Sequence, residues 1–384
     1  LGFKEEIKKY QWDRIQSAIL DKTPSDVEQA MRAERRDPND FLALLSPAAG
    51  QYLEEMAQLA HQLTVKRFGR VIQMYAPIYV SSECTNSCLY CGFNRHNQIT
   101  RATLTLDEVM EEGKILHQQG FRHVLLLSGE SPRHVNLESL CRIAEKLRTL
   151  FASISIEIYP MDTDSYSALV KSGVDGLTIY QETYDPKRYA EAHQAGQKRN
   201  YNWRLDTPDR GGEAGFRRIN IGALLGLSDW KVDGAFLGFH AAYLMHQYWK
   251  SHVSVSFPRL QPASGGYQPE FPVNDAQMVQ LMCALRLWLP DAGLVLSTRE
   301  PQELRDNMVP LGVTHMSAGS KTAPGGYSSR REAEGQFEVS DHRSPGEVAR
   351  MLASRGYEPV WKDWDAAFLD DSSISHPCPA PPEP

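Results

Sequence analysis

The 384-residue sequence contains no apolar run that approaches the ~18 residues of a membrane span; its clean apolar runs are short, as at 124–127. It also lacks a polybasic block. With 41 Lys and Arg against 48 Asp and Glu, the net charge is −7, which argues against nucleic acid or an anionic membrane as the main partner. Residues 1–12 are polar and carry several charges, unlike a secretory signal. Six cysteines are too few for a disulfide scaffold, and a reducing cytoplasm is the expected location. No G-x-G-x-x-G follows the first β-rich run, which weakens a dinucleotide reading. The twelve histidines form no H-x-x-x-H pair, and no internal repeat is present. What is present is ordinary for a globular chain: 41% hydrophobic and 23% charged residues, which excludes wholesale disorder, collagen and coiled coil.

The first 70 residues read as helical. In 46–68, Tyr52, Met56, Leu59, Ala60 and Leu63 recur on one helical face. From Val71 the pattern changes to eight short β-rich runs, at 71–80, 122–128, 153–159, 175–181, 219–225, 252–257, 293–298 and 313–318. Helical stretches fit between them. Thr105 and Glu108 form a capping-box pair, and Gly173 is a stop signal after 162–171. Longer helical patterns cover 229–250 and 274–289. The stretch 201–217 is ambiguous, although Pro208 favours a helix start over a strand. Eight strand–helix alternations predict an α/β fold, a (β/α)8 TIM-type barrel, with a doubly wound sheet as runner-up. The predicted organisation is an N-terminal helical extension over 1–70, the barrel over 71–320 and an irregular segment over 321–384. That last segment has one helix at 345–355 and a Pro-rich tail at 372–384.

Three of the six cysteines fall within eight residues, as Cys84-x-x-x-Cys88-x-x-Cys91, just after the first strand. Barrel enzymes place their chemistry at that end of the strands. Three thiolates can grip three corners of a [4Fe–4S] cube and leave one iron open to a ligand. The alternative is structural zinc, which needs a fourth ligand, and His96 is near enough in sequence to be considered. In that case the protein would be a zinc-stapled binding protein without chemistry. Cys141 and Cys283 lie on apolar helix faces and read as buried small hydrophobes.

The C-x3-C-x2-C spacing, with Tyr90 before the last cysteine, resembles the radical S-adenosylmethionine (SAM) superfamily. The resemblance implies a [4Fe–4S] cluster on Cys84, Cys88 and Cys91, and SAM on the open iron. It implies reductive cleavage of SAM to methionine and a deoxyadenosyl radical. Ser128-Gly129-Glu130 looks like the element that holds the SAM ammonium. Glu157, Gln181 and Glu182 end the third and fourth strands, where they can take ribose hydroxyls or the amino group. Arg204 is placed for the SAM carboxylate, and Leu224 for an apolar adenine wall.

Beyond the loop, 79–93, 181–184, 204–210, 256–259, 297–300 and 317–321 resemble aromatic amino-acid lyases of this superfamily. The match is best with the tyrosine lyases of thiamine thiazole biosynthesis, and it runs from about Trp12 to Trp364. This implies cleavage of the Cα–Cβ bond of L-tyrosine to 2-iminoacetate (dehydroglycine) and p-cresol. Arg299 is the expected carboxylate clamp, with Arg259 as its rival, and Tyr79 and Ser317 complete the catalytic pocket. The implied partners are a flavodoxin or ferredoxin as electron donor and thiazole synthase. A tryptophan lyase and the hydrogenase-maturation type of tyrosine lyase stay open as alternatives. The latter carries a second, C-terminal cluster, for which this region offers only Cys378.

Overall fold

In the computed structural model, which describes residues 2–329 and 332–365, all eight β-rich runs are parallel strands. They are β1 (Val71–Ser81), β2 (His123–Ser128), β3 (Ser153–Glu157), β4 (Gly176–Glu182), β5 (Arg218–Ala223), β6 (His252–Ser256), β7 (Gly293–Leu296) and β8 (His315–Ser317). Each pairs with the next, and β1 pairs with both β2 and β8, so the sheet closes into a barrel. The open doubly wound sheet is excluded. Closure buries the strands on both faces; β2 reads as an apolar run, whereas β3 and β6 alternate, with Ser155 and Ser254 lining the barrel interior. The predicted ends overshoot by two residues at β3, β5 and β7. Ile158 and Ser297 leave the ladder there and start the loops that line the barrel mouth.

The helices follow their local signals. Thr105 caps Leu106–Gln118 in a full capping box with Glu108, a feature worth about 1 kcal/mol. Gly173, at φ 99°, ends the helix Thr163–Lys171. The ambiguous stretch 201–217 forms two short helices, Tyr201–Leu205 and Thr207–Ala214. The Asn200 side chain caps the first, and Pro208 sits in the first turn of the second. At the N-terminus, the expected helix over 46–68 is split. A 3-10 turn, Pro47–Tyr52, precedes the α-helix Leu53–Phe68, whose Met56 and Ala60 are fully buried. The N-terminal helices pack on Trp230–Gln247 and Asp275–Trp288, with Phe41 stacked on Trp288 at 4.2 Å.

The C-terminal helix lies at Pro345–Ser354. A ninth strand that the sequence does not announce follows it, β9 (Glu358–Val360), parallel to β1. Gln73 of β1 pairs with His315 on one side and Val360 on the other, so β9 occupies the edge of β1 below the point where β2 joins. Three residues with a central proline carry no readable period. Trp361 then packs edge-on against Phe121. Cys283 is buried as expected, whereas Cys141 is only half-buried against the core. Cys378 and the Pro-rich tail lie outside the described residues. Among the described residues, no helix is long and apolar enough to cross a membrane.

Candidate active site

The loop after β1 is pinned from several sides. The Thr85 backbone N–H and hydroxyl both donate to the Glu130 carbonyl, at 3.1 and 2.9 Å. The Arg101 guanidinium donates to the carbonyls of Ser82, Phe93 and Asn94. Gly129 is obligatory here. A Cβ on it would lie 2.3 Å from the Glu83 carbonyl oxygen, so only glycine lets the end of β2 lie against the loop.

Cys84, Cys88 and Cys91 all line one cavity of about 510 Å³ at the barrel mouth. Burial pushes the Cys84 thiol up to about 11 and raises Cys88 and Cys91 as well. Amide donors oppose this. The backbone N–H groups of Asn86 and Glu130 face Cys84, that of Phe93 faces Cys91, and Gln336 Nε2 is 3.7 Å from Cys91 Sγ. Donors aimed at sulfur suit thiolate ligands and tune a cluster's potential. His96 is exposed and does not line the cavity. Among the described residues, no three His, Cys, Asp or Glu side chains form a group fit for a single metal ion. Three soft thiols in one cavity with amide donors aimed at them are a donor set that fits an iron–sulfur cube, and the exposed His96 does not supply a fourth zinc ligand there.

The same cavity holds a buried charge network. Arg204 Nη1 is 2.9 Å from Glu130 Oε1, and Asn86 Nδ2 donates to the other carboxylate oxygen at 2.7 Å. Lys198 Nζ lies 2.6 Å from Glu182 Oε1, and Arg204 Nη2 lies 3.7 Å from the same oxygen. Burial works against the charge on Glu182, but Lys198 and Arg204 outweigh it and hold this carboxyl below its ordinary range. Glu182 reaches the network because β4 bulges between Tyr180 and Glu182, which leaves Glu182 at φ 71°. A non-glycine residue there is strained, and such strain gathers at working sites. Gln181, at the bulge, is buried with both amide atoms unpartnered and does not line the cavity. Ser128 does line it.

Tyr90 and Leu224 pack together beside the cavity, in an apolar cluster with Leu227 and Ala192. His193 Nδ1 faces the Tyr189 carbonyl at 2.7 Å, so that nitrogen carries the proton and Nε2 accepts from the Tyr90 hydroxyl at 2.8 Å. Burial, with Lys198 nearby, pulls the His193 pKa down to about 3 and keeps the ring neutral.

A second cavity of about 490 Å³ adjoins the first; the two share Tyr79, Leu127, Glu157 and Gln336 as lining residues. Arg299 and Ser317 line it. The Arg299 guanidinium lies over the Phe337 ring, 3.4 Å from its centroid, and makes no ion pair among the described residues. Arg259 is differently engaged: its guanidinium pairs with Glu300 and, at 2.7 Å, with Asp275. The rival clamp is thus committed to holding two acids. Ser317 Oγ accepts from the Thr298 amide at 3.1 Å. Tyr79 is 4% exposed, and its hydroxyl donates to Gln336 Oε1 at 2.8 Å.

Residues 78–236 match the Radical SAM superfamily, and residues 256–358 match the Biotin and Thiamin Synthesis associated domain. The chain is 43% identical over 365 residues to the 2-iminoacetate synthase of Escherichia coli (strain K12), an alignment covering 95% of this chain and 97% of that protein. The chain belongs to the 2-iminoacetate synthase family. The Salmonella typhimurium enzyme is equally similar, 43% identical over 95% of this chain and 97% of its own. A solved structure of HydG, a maturase of the [FeFe]-hydrogenase, superposes with a TM-score of 0.82 at 29% identity, covering 97% of this chain and 83% of that one.

Membership in the 2-iminoacetate synthases makes the chain a radical SAM enzyme that uses a [4Fe–4S] cluster and SAM. Several residues that shape this site carry no signal of their own in the sequence. Lys198 stands in a short polar run, and Gln336 and Phe337 stand in the irregular stretch after Lys321, 245 residues beyond Cys91 in the case of Gln336. Asn86 has a sequence signal, its place inside the cysteine motif, and the structure buries it at 1% exposure.

Proposed function

We propose that this 2-iminoacetate synthase cleaves the Cα–Cβ bond of L-tyrosine, giving 2-iminoacetate and p-cresol for thiazole synthesis. The observation that carries the residue assignments is the pair of adjoining cavities, one lined by three thiols and the other by a guanidinium that makes no ion pair among the described residues. When bound, the cluster and SAM supply a one-electron reductive cleavage and with it a hydrogen-abstracting carbon radical. The chain supplies binding and orientation. Cys84, Cys88 and Cys91 hold the cluster. Glu130 and Arg204 take the ammonium and carboxylate of SAM, and the edge at Ser128 and Gly129 supports them. Glu182 serves the ribose, with Gln181 beside it at the bulge, and Tyr90 and Leu224 enclose the rest.

Arg299 clamps the tyrosine carboxylate. A bidentate guanidinium fixes both the position and the rotation of a small substrate. Tyr79 and Ser317 complete the pocket. Pro77, Leu125 and Leu127 supply apolar walls, and the Tyr75 and Tyr180 side chains line the same cavity. We assign the electron delivery to a flavodoxin or ferredoxin, and the use of the imine to thiazole synthase. Oxygen-sensitive thiolate chemistry of this kind suits the cytoplasm.

Anaerobic reconstitution, followed by product analysis with tyrosine and with tryptophan, tests this reading. Formation of p-cresol and glyoxylate (from the hydrolysed imine) is expected with tyrosine. A cleaved indole product from tryptophan, with only deoxyadenosine from tyrosine, would transfer the chain to the tryptophan lyases.

A further inference from the structure

Glu157 stands apart from the other acids of the barrel mouth. It ends β3, opposite Leu127 of β2, and it lines both cavities. Glu130 and Glu182 each hold a cation, whereas Glu157 makes no hydrogen bond or ion pair among the described residues. It shares the substrate cavity with Arg299, the other unpaired charged group there. An amino acid is a zwitterion, and this cavity offers one cation and one anion.

The hydrogen count of the reaction demands a base. The substrate ammonium carries three hydrogens, and the nitrogen of neutral 2-iminoacetate carries one. One leaves as a hydrogen atom to the SAM-derived carbon radical. The other must leave as a proton before or with that step, so that the neutral aminyl radical can split the Cα–Cβ bond into imine and 4-hydroxybenzyl radical. We propose that Glu157 is a further catalytic residue, which pairs with the tyrosine ammonium and accepts this proton. The assignment rests on the tyrosine-lyase reading and on the two-cavity position of the carboxylate. The 4-hydroxybenzyl radical then needs one electron, from the one-electron donor that also reduces the cluster, and one proton, which Glu157 can return.

The surroundings suit a base that works near neutrality. Burial, and then the Glu182 carboxylate, push the Glu157 pKa up to about 7, against the pull of Arg299, Lys198 and Arg204. The other titratable groups facing it are Tyr75 and Tyr79 on β1 and Tyr180 on β4, all of which burial holds in their neutral forms. Glu130 and the cysteine loop border the same cavity. A carboxylate matched to the working pH is the most effective proton acceptor.

The sign of the pH dependence follows. The base works ionised, so kcat/KM for tyrosine should rise through about pH 7 and level off above it. Glu157→Gln should lose that inflection and about 100-fold or more of p-cresol formation, the lower end for a general base. Its SAM affinity should be unchanged.

A readout without turnover is calorimetry of tyrosine binding to the SAM-loaded holoenzyme with its cluster oxidised, in buffers of different ionisation enthalpy. At about pH 6 the free carboxyl and the ammonium hold one titratable proton each, and the bound carboxylate–ammonium pair holds one between them. The wild type should therefore release about one proton at about pH 6 and about none at about pH 8. Glu157→Gln should release none at either. A wild type that binds tyrosine without proton release at about pH 6 overturns the proposal, and that measurement does not depend on any variant folding. A Glu157→Gln enzyme with weakened SAM binding and an intact inflection also overturns it, and returns Glu157 to SAM. Failure of the wild type to bind or cleave tyrosine is the distinct result that removes the tyrosine-lyase reading itself.

Discussion

The two cavities at the barrel mouth treat their charges in opposite ways. Around the cysteine loop, Glu130, Arg204, Glu182 and Lys198 are buried and already paired with one another. In the adjoining cavity, Arg299 and Glu157 make no ion pair among the described residues, and Arg299 rests on the Phe337 ring. Breaking a buried pair leaves an uncompensated charge, so a network paired within the protein stabilises the fold around the cofactor site. SAM itself brings one ammonium and one carboxylate, so it can enter by exchanging charge for charge. The substrate cavity instead keeps its charges exposed to whatever zwitterion arrives. It gives up some stability in return for orientation, as binding sites commonly do.

The sharpest way to break the comparison is to remove a cluster ligand. Cys88→Ala should abolish both SAM cleavage and stoichiometric iron, measured as bound iron and deoxyadenosine; full iron with retained activity would refute the ligand assignment. Next is Arg299→Lys, which keeps charge but loses the fork. It should lower p-cresol formation by ~100-fold, the scale of an ångström of misplacement, while slow, unproductive SAM cleavage continues.

Arg204→Ala should act on both stability and cofactor. Stranding Glu130 should cost about 3–5 kcal/mol in chemical denaturation. SAM affinity should fall by ~10- to 150-fold, the loss of one charge-assisted contact. Adding Glu130→Gln should restore much of the stability and none of the affinity, which separates the network's two roles. The smallest effect on catalysis is expected from Arg259→Ala. It strands the buried Glu300 and should lower the melting temperature, yet leave the KM for tyrosine unchanged. A large rise in that KM would restore Arg259 as the clamp.

The sequence announces the barrel because closure and burial write themselves into local chemistry. Short β-rich runs, the capping box at Thr105 and the glycine stop at Gly173 all locate elements without tertiary knowledge. The cysteine loop is legible for a similar reason: its ligand geometry is set by a spacing of a few residues. The remainder of the site is not. Glu182 reaches its partner only through a bulge, and a bulge has no periodicity to read. The pairing of Arg204 with Glu130 joins residues 74 apart, and Gln336 reaches Tyr79 and Cys91 from a stretch that sequence alone classes as irregular. Such contacts depend on which mouth loops the closed barrel brings together.

That late arrival of Gln336 has a consequence for how the protein is made. Synthesis runs from the N-terminus, so Cys84, Cys88 and Cys91 leave the ribosome long before the residues that cover them. The edge of β1 that β9 fills stays open until the residues near 360 have emerged, and an unpaired edge invites association with other chains. The cavity wall is otherwise complete at Arg204, so the cover that Gln336 gives Cys91 is the last part of the site to be added. Until then Cys91 lacks the amide donor that closes its side of the cavity.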